Sequence, residues 1–383
     1  MINSINANPD TMNKINSADK NYLRKTELNI TDSTPKSSLV KAAMTNPLDC
    51  RYLHKYFDFS LNDANLTSDK KLGDTNLVAI LVENDVNMKN KDESKDYSST
   101  IRFNLKNKNK DVDYSFVYPV KDVKQEKTDY GFVLKMGDSS YELHSKDNVN
   151  IDYIKLNVNF ENKLVLDAIL TPQVQGFNFG NDGVCSSTAD GKKVFGGTII
   201  APYSLADVSL KFNGEKYCWK NAEAYHDQTL GSILSVKDEF WTKSTDKEVI
   251  SIARVINQPN FNKMGNFFQY FFRYNKETKE RTITSDFDYE VMEYSDKKKI
   301  IPKKINVALG NDSFNIEVKE ELESMSGYVR SKASINGRDA TCERMNIPSG
   351  CILNNLAKIV LISQIKKNIK ETKEFFSKMP NVV

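Results

Sequence analysis

The regular alternation of apolar and polar residues is the sequence feature that most restricts the fold class of this chain. From Tyr56 onward the alternation has a period of two residues, which is typical of strands that bury one face. Phe132–Met136, for example, runs into Gly137-Asp138, and the alternation returns at Tyr141–Leu143. A series of such hairpins with short turns predicts an all-β protein, built as a sandwich or as an up-and-down barrel.

Two Asn-Gly pairs mark hairpins whose register can be read from the sequence. Asn213-Gly214 separates two strand-like segments, and Asn-Gly is the preferred pair for a two-residue type I′ turn. Leu210 should therefore lie opposite Tyr217, and the two strands should share one apolar face. A second pair, Asn336-Gly337, predicts another hairpin near the end of the β-rich region.

Composition along the chain predicts four segments. Residues 1–48 are rich in Asn, Asp, Ser, Thr and Lys and cannot bury much apolar area, so they should be disordered or loosely attached. A Gly-, Ser- and Asp-rich stretch over Gly176–Gly191 suggests a boundary between two β-rich halves. We therefore expect one β domain over 49–185 and a second over 186–347, followed by an amphipathic helix over 348–383.

Helical spacing of apolar residues distinguishes this last segment from the rest of the chain. The apolar positions are Ile352, Leu356, Ile359, Val360, Ile365 and Ile369. Several lysines lie mostly on the other faces of the predicted helix. Such a helix either packs on the outside of a barrel or makes peripheral contact with a membrane surface or a partner groove.

Charge and cysteine usage exclude several classes of function. Lys and Arg total 54 against 51 Asp and Glu, so the concentrated basic surplus of a nucleic-acid binder is missing. Five cysteines without a C-x-x-C pair, and only three histidines, argue against a disulfide framework or a metal site. No secretory signal and no run of about 18 apolar residues is visible, so we expect a cytoplasmic protein that binds neither metal nor cofactor.

The segment Tyr225-His226-Asp227 is the strongest candidate for chemistry. An imidazole beside a carboxylate can have its charge or its tautomer fixed, which suits proton transfer, although a structural histidine satisfied by a neighbour is equally compatible with the pattern. If the strand containing Trp219 continues regularly, Tyr225 and Asp227 share its face, whereas His226 and Gln228 lie on the opposite one. A bulge near Gly231 would change this assignment.

This segment also resembles a known family. Tyr225-His226-Asp227, with Gly231 four residues later and a hairpin before it, is similar to the Y-H-D-H-N-W-G segment of the hydroxyneurosporene synthase (carotenoid 1,2-hydratase) family. That family is similar to attH-type proteins and to fungal decalin-forming Diels–Alderases. Tyr56–Phe59, Phe195–Pro202 and Gly327–Glu343 resemble its other segments in the same order, so the likeness spans about residues 52 to 345. It implies two lipocalin-like β-barrel domains with a hydrophobic pocket for a polyene or polyketide chain.

Three departures from the family pattern bear on the reaction. The second His of the family motif corresponds to Gln228, its Trp to Leu230, and the opening Trp to Lys55. In the hydratases the missing His and Trp are associated with protonation of the olefin, so carotenoid hydration is less favoured here than a cyclisation. A pericyclase needs chiefly to fold a flexible chain into a reactive conformer and to place one donor on the substrate.

The aromatic content suits such a pocket. The chain has 20 Phe, 17 Tyr and 2 Trp, with six aromatic residues within Phe267–Tyr274. Alternation sends Tyr270 to one face of this strand, and Phe271 and Arg273 to the other. The aromatic residues either fill an ordinary core or line a ligand cavity.

From these features we predict an all-β protein with two lipocalin-like antiparallel barrels and a C-terminal α-helix. Its predicted activity is that of a cofactor-independent cyclase or isomerase of specialised metabolism, acting on an apolar polyene, polyketide or terpenoid chain within or between the domains. The alternatives are a hydratase and a non-catalytic carrier of hydrophobic ligands.

His226 or Asp227 would be the catalytic group, and Tyr225 would orient it. The predicted substrate-binding residues are Trp219, Trp241, Tyr270, Gln228 and Tyr56. The partner would be a hydrophobic small molecule rather than a nucleic acid, and the oligomeric state is left open.

Overall fold

The computed structural model describes most of the β-rich part of the chain and the C-terminal helix. The described residues are 39–45, 53–69, 71–82, 98–119, 122–178, 183, 186–187, 193–231, 238–244, 249–257, 267–284, 286–294, 302–325, 328–346 and 351–379. They fall into two compact units. The first runs from residue 34 to 233 and includes the chain from 358 onward, and the second runs from 234 to 357.

The first unit is built on one antiparallel sheet that curls toward a barrel. Its strands are β1 (Leu53–Leu61), β2 (Thr75–Val82), β3 (Ser98–Lys106), β4 (Asp111–Pro119), β5 (Val123–Thr128), β6 (Gly131–Met136), β7 (Ser139–His144), β8 (Tyr153–Phe160), β9 (Leu164–Val174), β10 (Phe177–Asn178), β11 (Ser186–Ser187), β12 (Lys193–Phe212) and β13 (Glu215–Gly231). The order is β4-β3-β2-β1-β13-β12-β9-β8-β7-β6-β5, with β10 and β11 paired to β12. The inner face forms one contiguous cluster of buried side chains, including Phe57, Phe103, Phe132 and Trp219.

The second unit contains a smaller antiparallel sheet. Its strands are β14 (Asp238–Ser244), β15 (Val249–Asn257), β16 (Phe267–Asn275), β17 (Arg281–Thr284), β18 (Asp288–Tyr294), β19 (Pro302–Leu309), β20 (Asp312–Met325), β21 (Tyr328–Ile335) and β22 (Arg338–Asn346). They follow the order β17-β16-β15-β14-β22-β21-β20-β19-β18. Phe240, Phe271, Ile316 and Cys342 belong to its own buried cluster. The predicted all-β architecture with two barrel-like sheets is confirmed.

The Asn-Gly turns have the predicted geometry. Asn213 and Gly214 both have positive φ, 53° and 76°, as a type I′ turn requires. Leu210 lies opposite Tyr217, in the register that the turn predicts.

Replacing Gly214 by Ala should therefore lower the free energy of unfolding by about 1 kcal/mol, the cost of a left-handed conformation for a residue with a Cβ. Apart from its chain neighbours, no atom of the described residues lies within 4 Å of the position of that Cβ, so the cost should be conformational and not steric. Chemical denaturation measures it, and Lys216→Ala on the adjoining exposed position is the control. Equal stability of wild type and Gly214→Ala would contradict the turn assignment.

The division between the two sheets differs from the boundary expected at residue 185/186. The long hairpin of β12 and β13 belongs to the first sheet, where β12 pairs with β9 and β13 pairs with β1. This hairpin buries its apolar face in the cluster of the first unit and cannot leave it without exposing that face. The Gly- and Ser-rich stretch over 176–191 therefore lies within the first unit, whose boundary falls at residue 233.

Part of the segment expected to be disordered or loosely attached is in fact packed. Helix α1 (Leu39–Ala43) has Leu39, Val40, Ala42 and Ala43 buried, and Leu39 and Ala43 belong to the core cluster of the first unit. Residues 39–45 of the segment 1–48 are therefore attached to the first unit, because their apolar side chains are buried against the sheet. The other residues of that segment lie outside the described part of the chain.

Helix α2 (Cys351–Lys378) covers an edge of the first sheet. Thr372 Oγ1 accepts a hydrogen bond from Ser115 N–H on the edge strand β4, and Asn368 Nδ2 donates to Asp113 O at 3.3 Å. Phe376 is buried in the core cluster, and Lys163 Nζ donates to its carbonyl. The helix thus satisfies edge groups that would otherwise be open to strand addition. Among the described residues, no helix is long and apolar enough to cross a membrane.

Candidate active site

A bulge in β13 decides which residues of the Tyr-His-Asp segment share a face. Asn221 has a φ of 53°, and the pairing with β12 shifts there, from Val208 opposite Trp219 to Ala206 opposite Ala222. The extra residue reverses the alternation that follows it. His226 therefore shares the inner face with Trp219, against the expectation for a regular strand.

His226 is enclosed in the core of the first unit. Its ring stacks on Phe57 with centroids 3.9 Å apart, and the side chain is fully buried. Nδ1–H donates to the carbonyl of Tyr56 at 2.9 Å, and Nε2 lies 3.1 Å from the hydroxyl of Tyr141. Burial lowers the pKa of His226 to about 3, with the positive charge of Lys55 acting in the same direction against the bond to Tyr56.

This environment fixes one state of the imidazole. Since a carbonyl only accepts, the proton is on Nδ1, and in the neutral ring Nε2 accepts from the hydroxyl of Tyr141. Both ring nitrogens are therefore engaged with protein groups, and the ring is held by two aromatic neighbours. This is the geometry of a core histidine whose hydrogen bonds are satisfied, the alternative that the sequence pattern leaves open.

Two of the departures from the family motif meet in the structure. Lys55 and Gln228 lie opposite each other on β1 and β13, and Lys55 Nζ donates to Gln228 Oε1. Lys55 also donates to Ala43 O, and Gln228 Nε2 donates to Ala42 O, each at 2.9 Å. The C-terminal carbonyls of α1 thus accept hydrogen bonds from a lysine and an amide. A positively charged donor is favourable there, because the C-terminal end of a helix carries a partial negative charge. Gln228, which the sequence suggested for substrate binding, donates a hydrogen bond to this short helix.

The opposite face of the same strands carries a second polar cluster. Tyr225 donates from its hydroxyl to Asp227 Oδ2 at 2.6 Å, and both side chains are buried. Tyr56 pairs with Asp227 across β1 and β13, and Asp58 pairs with Tyr225. This Tyr-Asp cluster, defined by Tyr56, Asp58, Tyr225 and Asp227, therefore places two buried carboxylates and two phenols on one face of the sheet. Asn76 Nδ2 donates to Asp58 Oδ1 at 3.3 Å.

The structure brings together only some of the residues predicted to form the site. Tyr225, Asp227 and Tyr56 share the Tyr-Asp cluster, and the rings of Tyr56 and Tyr225 meet edge to face at 6.2 Å. Trp219 lies on the inner face, stacked near Tyr217. Trp241 and Tyr270 lie in the second unit, both buried, on strands β14 and β16.

The sequence alone did not predict that Asp58 belongs to the candidate site, or that Lys55 binds Gln228. Asp58 was visible in the segment Tyr56-Phe57-Asp58, where alternation puts it on the face of Tyr56. The pairing of β1 with β13 makes it part of the cluster, and that pairing joins residues more than 160 positions apart. No group of three or more His, Cys, Asp or Glu side chains arranged to hold a metal ion occurs among the described residues.

Comparison with known proteins supports the architecture. No protein-family model matches the sequence, and no curated protein matches it significantly. A solved structure from Nitrosomonas europaea, described as an AttH candidate, is similar with a TM-score of 0.52 and 13% identity, over 78% of this chain and 93% of that chain. The crystal structure of CghA is similar with a TM-score of 0.50 and 10% identity, over 79% of this chain and 90% of that chain.

At these identities the likeness shows the fold alone. The two sheets have the lipocalin-like architecture of the AttH neighbour, as the family resemblance implies. The chain is therefore a two-sheet, lipocalin-like protein related in fold to the AttH and CghA structures.

Proposed function

We propose that the protein is a cofactor-independent cyclase or isomerase acting on an apolar polyene-like chain, with Asp227 as its catalytic group. The observation that carries the proposal is the 2.6 Å hydrogen bond from Tyr225 to a buried Asp227 carboxylate. Buried carboxylates are rare in proteins unless they are paired or have a function. Here the phenol of Tyr225 orients the Asp227 carboxylate. A second buried carboxylate, Asp58, lies opposite Tyr225 on the adjacent strand β1.

The two faces of β13 separate the candidate catalytic groups. His226 is held by Tyr56, Tyr141 and Phe57 and is neutral across the physiological range, since its pKa is about 3. Asp227 faces the other way, with Tyr225 as the orienting group that the sequence suggested. Asp227 is therefore the better candidate for contact with a substrate.

The chemistry available to this pair is proton transfer or hydrogen bonding. For an isomerisation, Asp227 would take a proton from one carbon of the chain and return it at another, so that no co-reactant is consumed. For a cyclisation, the pair would hold a carbonyl of the substrate while the pocket selects the reactive conformer. The family resemblance supports a polyene, polyketide or terpenoid chain as the substrate.

Turnover of a panel of linear polyenes and polyene carbonyl compounds tests the proposal. We expect wild type to form a product of unchanged mass, and Asp227→Asn to lower the rate by about 10²–10⁴-fold, the usual contribution of a positioned acid or base. Tyr225→Phe should give a smaller loss. Gln173→Ala, at an exposed position of β9, is the matched control and should keep full activity.

The same assay distinguishes the alternatives. A hydratase would give a product heavier by one water, with its oxygen taken from labelled solvent. A carrier would bind members of the panel, convert none, and bind them equally well after Asp227→Asn. The carrier is the second candidate, because Lys55 and Gln228 replace two residues of the family motif and are used to hold α1.

A further inference from the structure

A cavity opens at one end of the second sheet, apart from the Tyr-Asp cluster. Its volume is about 210 Å³. Its lining comes from strands β14, β15, β16, β20, β21 and β22 and the turn that joins the last two. The residues are Ser244, Val249, Ser251, Arg273, Phe314, Ile335, Asn336 and Arg338. Mouths of β-barrels are a common place for small-molecule sites.

Two arginines of this lining belong to the inner face of the sheet. Arg273 is two residues from Phe271, and Arg338 is two residues from Ala340, and both of those side chains lie in the buried cluster. Because side chains alternate along a strand, both guanidinium groups stand at the open end of the same interior. Both residues are exposed at this end, and Arg273 Nη1 lies 3.8 Å from Asp312 Oδ2.

The remaining lining residues are of two kinds. The polar side chains make hydrogen bonds to the backbone, and the others are apolar. Ser244 Oγ donates to Val249 O and accepts from Ser251 N–H, and Asn336 bonds to the backbone of Asn315. A guanidinium group carries five N–H donors, more than one partner uses. Val249, Phe314 and Ile335 give the cavity its apolar wall.

We propose that this cavity binds a small amphipathic carboxylate, whose charged group is held by Arg273 and Arg338 and whose apolar group packs on Phe314, Ile335 and Val249. Arginine suits a carboxylate because its planar fork matches the two oxygens. A cavity of about 150 Å³ holds benzene, so 210 Å³ accommodates a group the size of a phenyl ring with its acid function. The site is independent of the proposed activity of Asp227.

Binding of benzoate to the whole 383-residue chain, measured by ligand-observed NMR titration, tests this site. Benzamide is the matched neutral probe, and acetate is the anion without an apolar group. We expect saturable benzoate binding that is at least about tenfold tighter than binding of either control, because each lacks one half of the recognition. Arg273→Gln and Arg338→Gln should each weaken benzoate binding by about tenfold. Arg281→Gln, on the same sheet but outside the lining, should leave it unchanged.

Three results would overturn the proposal. If wild type shows no saturable benzoate binding, the cavity is not a binding site for this class of ligand. If benzamide binds with equal affinity, the arginines do not recognise the carboxylate. Equal affinity for acetate would reduce the cavity to a simple anion site without an apolar pocket. The comparison of probes uses only the wild type, so a variant that fails to fold does not weaken the test.

Discussion

Acidification from pH 7 to pH 4 should cost the protein about 3 kcal/mol of unfolding free energy through His226 alone. The folded state holds this imidazole neutral with a pKa of about 3, whereas the unfolded chain protonates it near pH 6.5. Between those values the unfolded state binds one more proton, so stability falls as the pH falls, by about 1.4 kcal/mol per pH unit. The contribution is complete above pH 6.5 and is lost progressively down to about pH 3.

The His226→Gln variant isolates this effect from the carboxylates that also titrate in acid. Gln has no charge to gain, so the difference in unfolding free energy between wild type and variant should shrink as the pH falls from 6.5 to 4. Denaturant unfolding at several pH values measures it. Gln173→Ala, at an exposed position of β9, is the control and should give a pH-independent difference, because neither side chain titrates. A constant difference for His226→Gln would show that the imidazole is not held neutral in the folded protein.

Lys55→Ala should lower the unfolding free energy by about 2–5 kcal/mol and release α1. The side chain is fully buried, so truncation leaves a cavity and removes the donor to Ala43 O and Gln228. Amide hydrogen exchange of residues 39–45 should quicken by more than global stability explains, because α1 loses one of the groups that hold its C-terminal carbonyls. Lys216→Ala, at an exposed position, should change stability by less than about 0.5 kcal/mol.

Lys55→Met separates packing from charge at the same position. Met keeps most of the volume but donates no hydrogen bond, and it removes the cost of keeping an ammonium group out of water. We expect stability close to that of wild type together with faster exchange in residues 39–45. Unchanged exchange in both Lys55 variants would mean that α1 is held by its buried apolar residues and not by Lys55.

Local physical rules accounted for much of the fold. Alternation predicted the strands, and the Asn-Gly turns set the register of their hairpins, because a turn of two residues leaves only one way to pair the flanking strands. The predicted division of the aromatic strand into two faces agrees with the buried cluster of the second unit, which contains Phe271 and not Tyr270. The same rules failed at Asn221, where one extra residue exchanged the two faces of β13.

The candidate site depended on contacts that no local pattern encodes. The segment Tyr225-His226-Asp227 was visible as an unusual group of side chains, and its proton chemistry could be stated from residue type alone. The structure divided that group, placing His226 in the core and Asp227 beside Tyr225 on the other face. Asp58 joined Asp227 only through the pairing of β1 with β13.

Residue order alone therefore determined the β-class, the hairpins and the list of side chains able to do chemistry, since each follows from periodicity or from residue type. Tertiary structure decided which of those side chains meet, how the long hairpin is assigned to the first unit, and why Lys55 and Gln228 occur together. The physical reason is that sheet pairing between distant strands, and one bulge within them, set the face and the neighbours of every residue that follows.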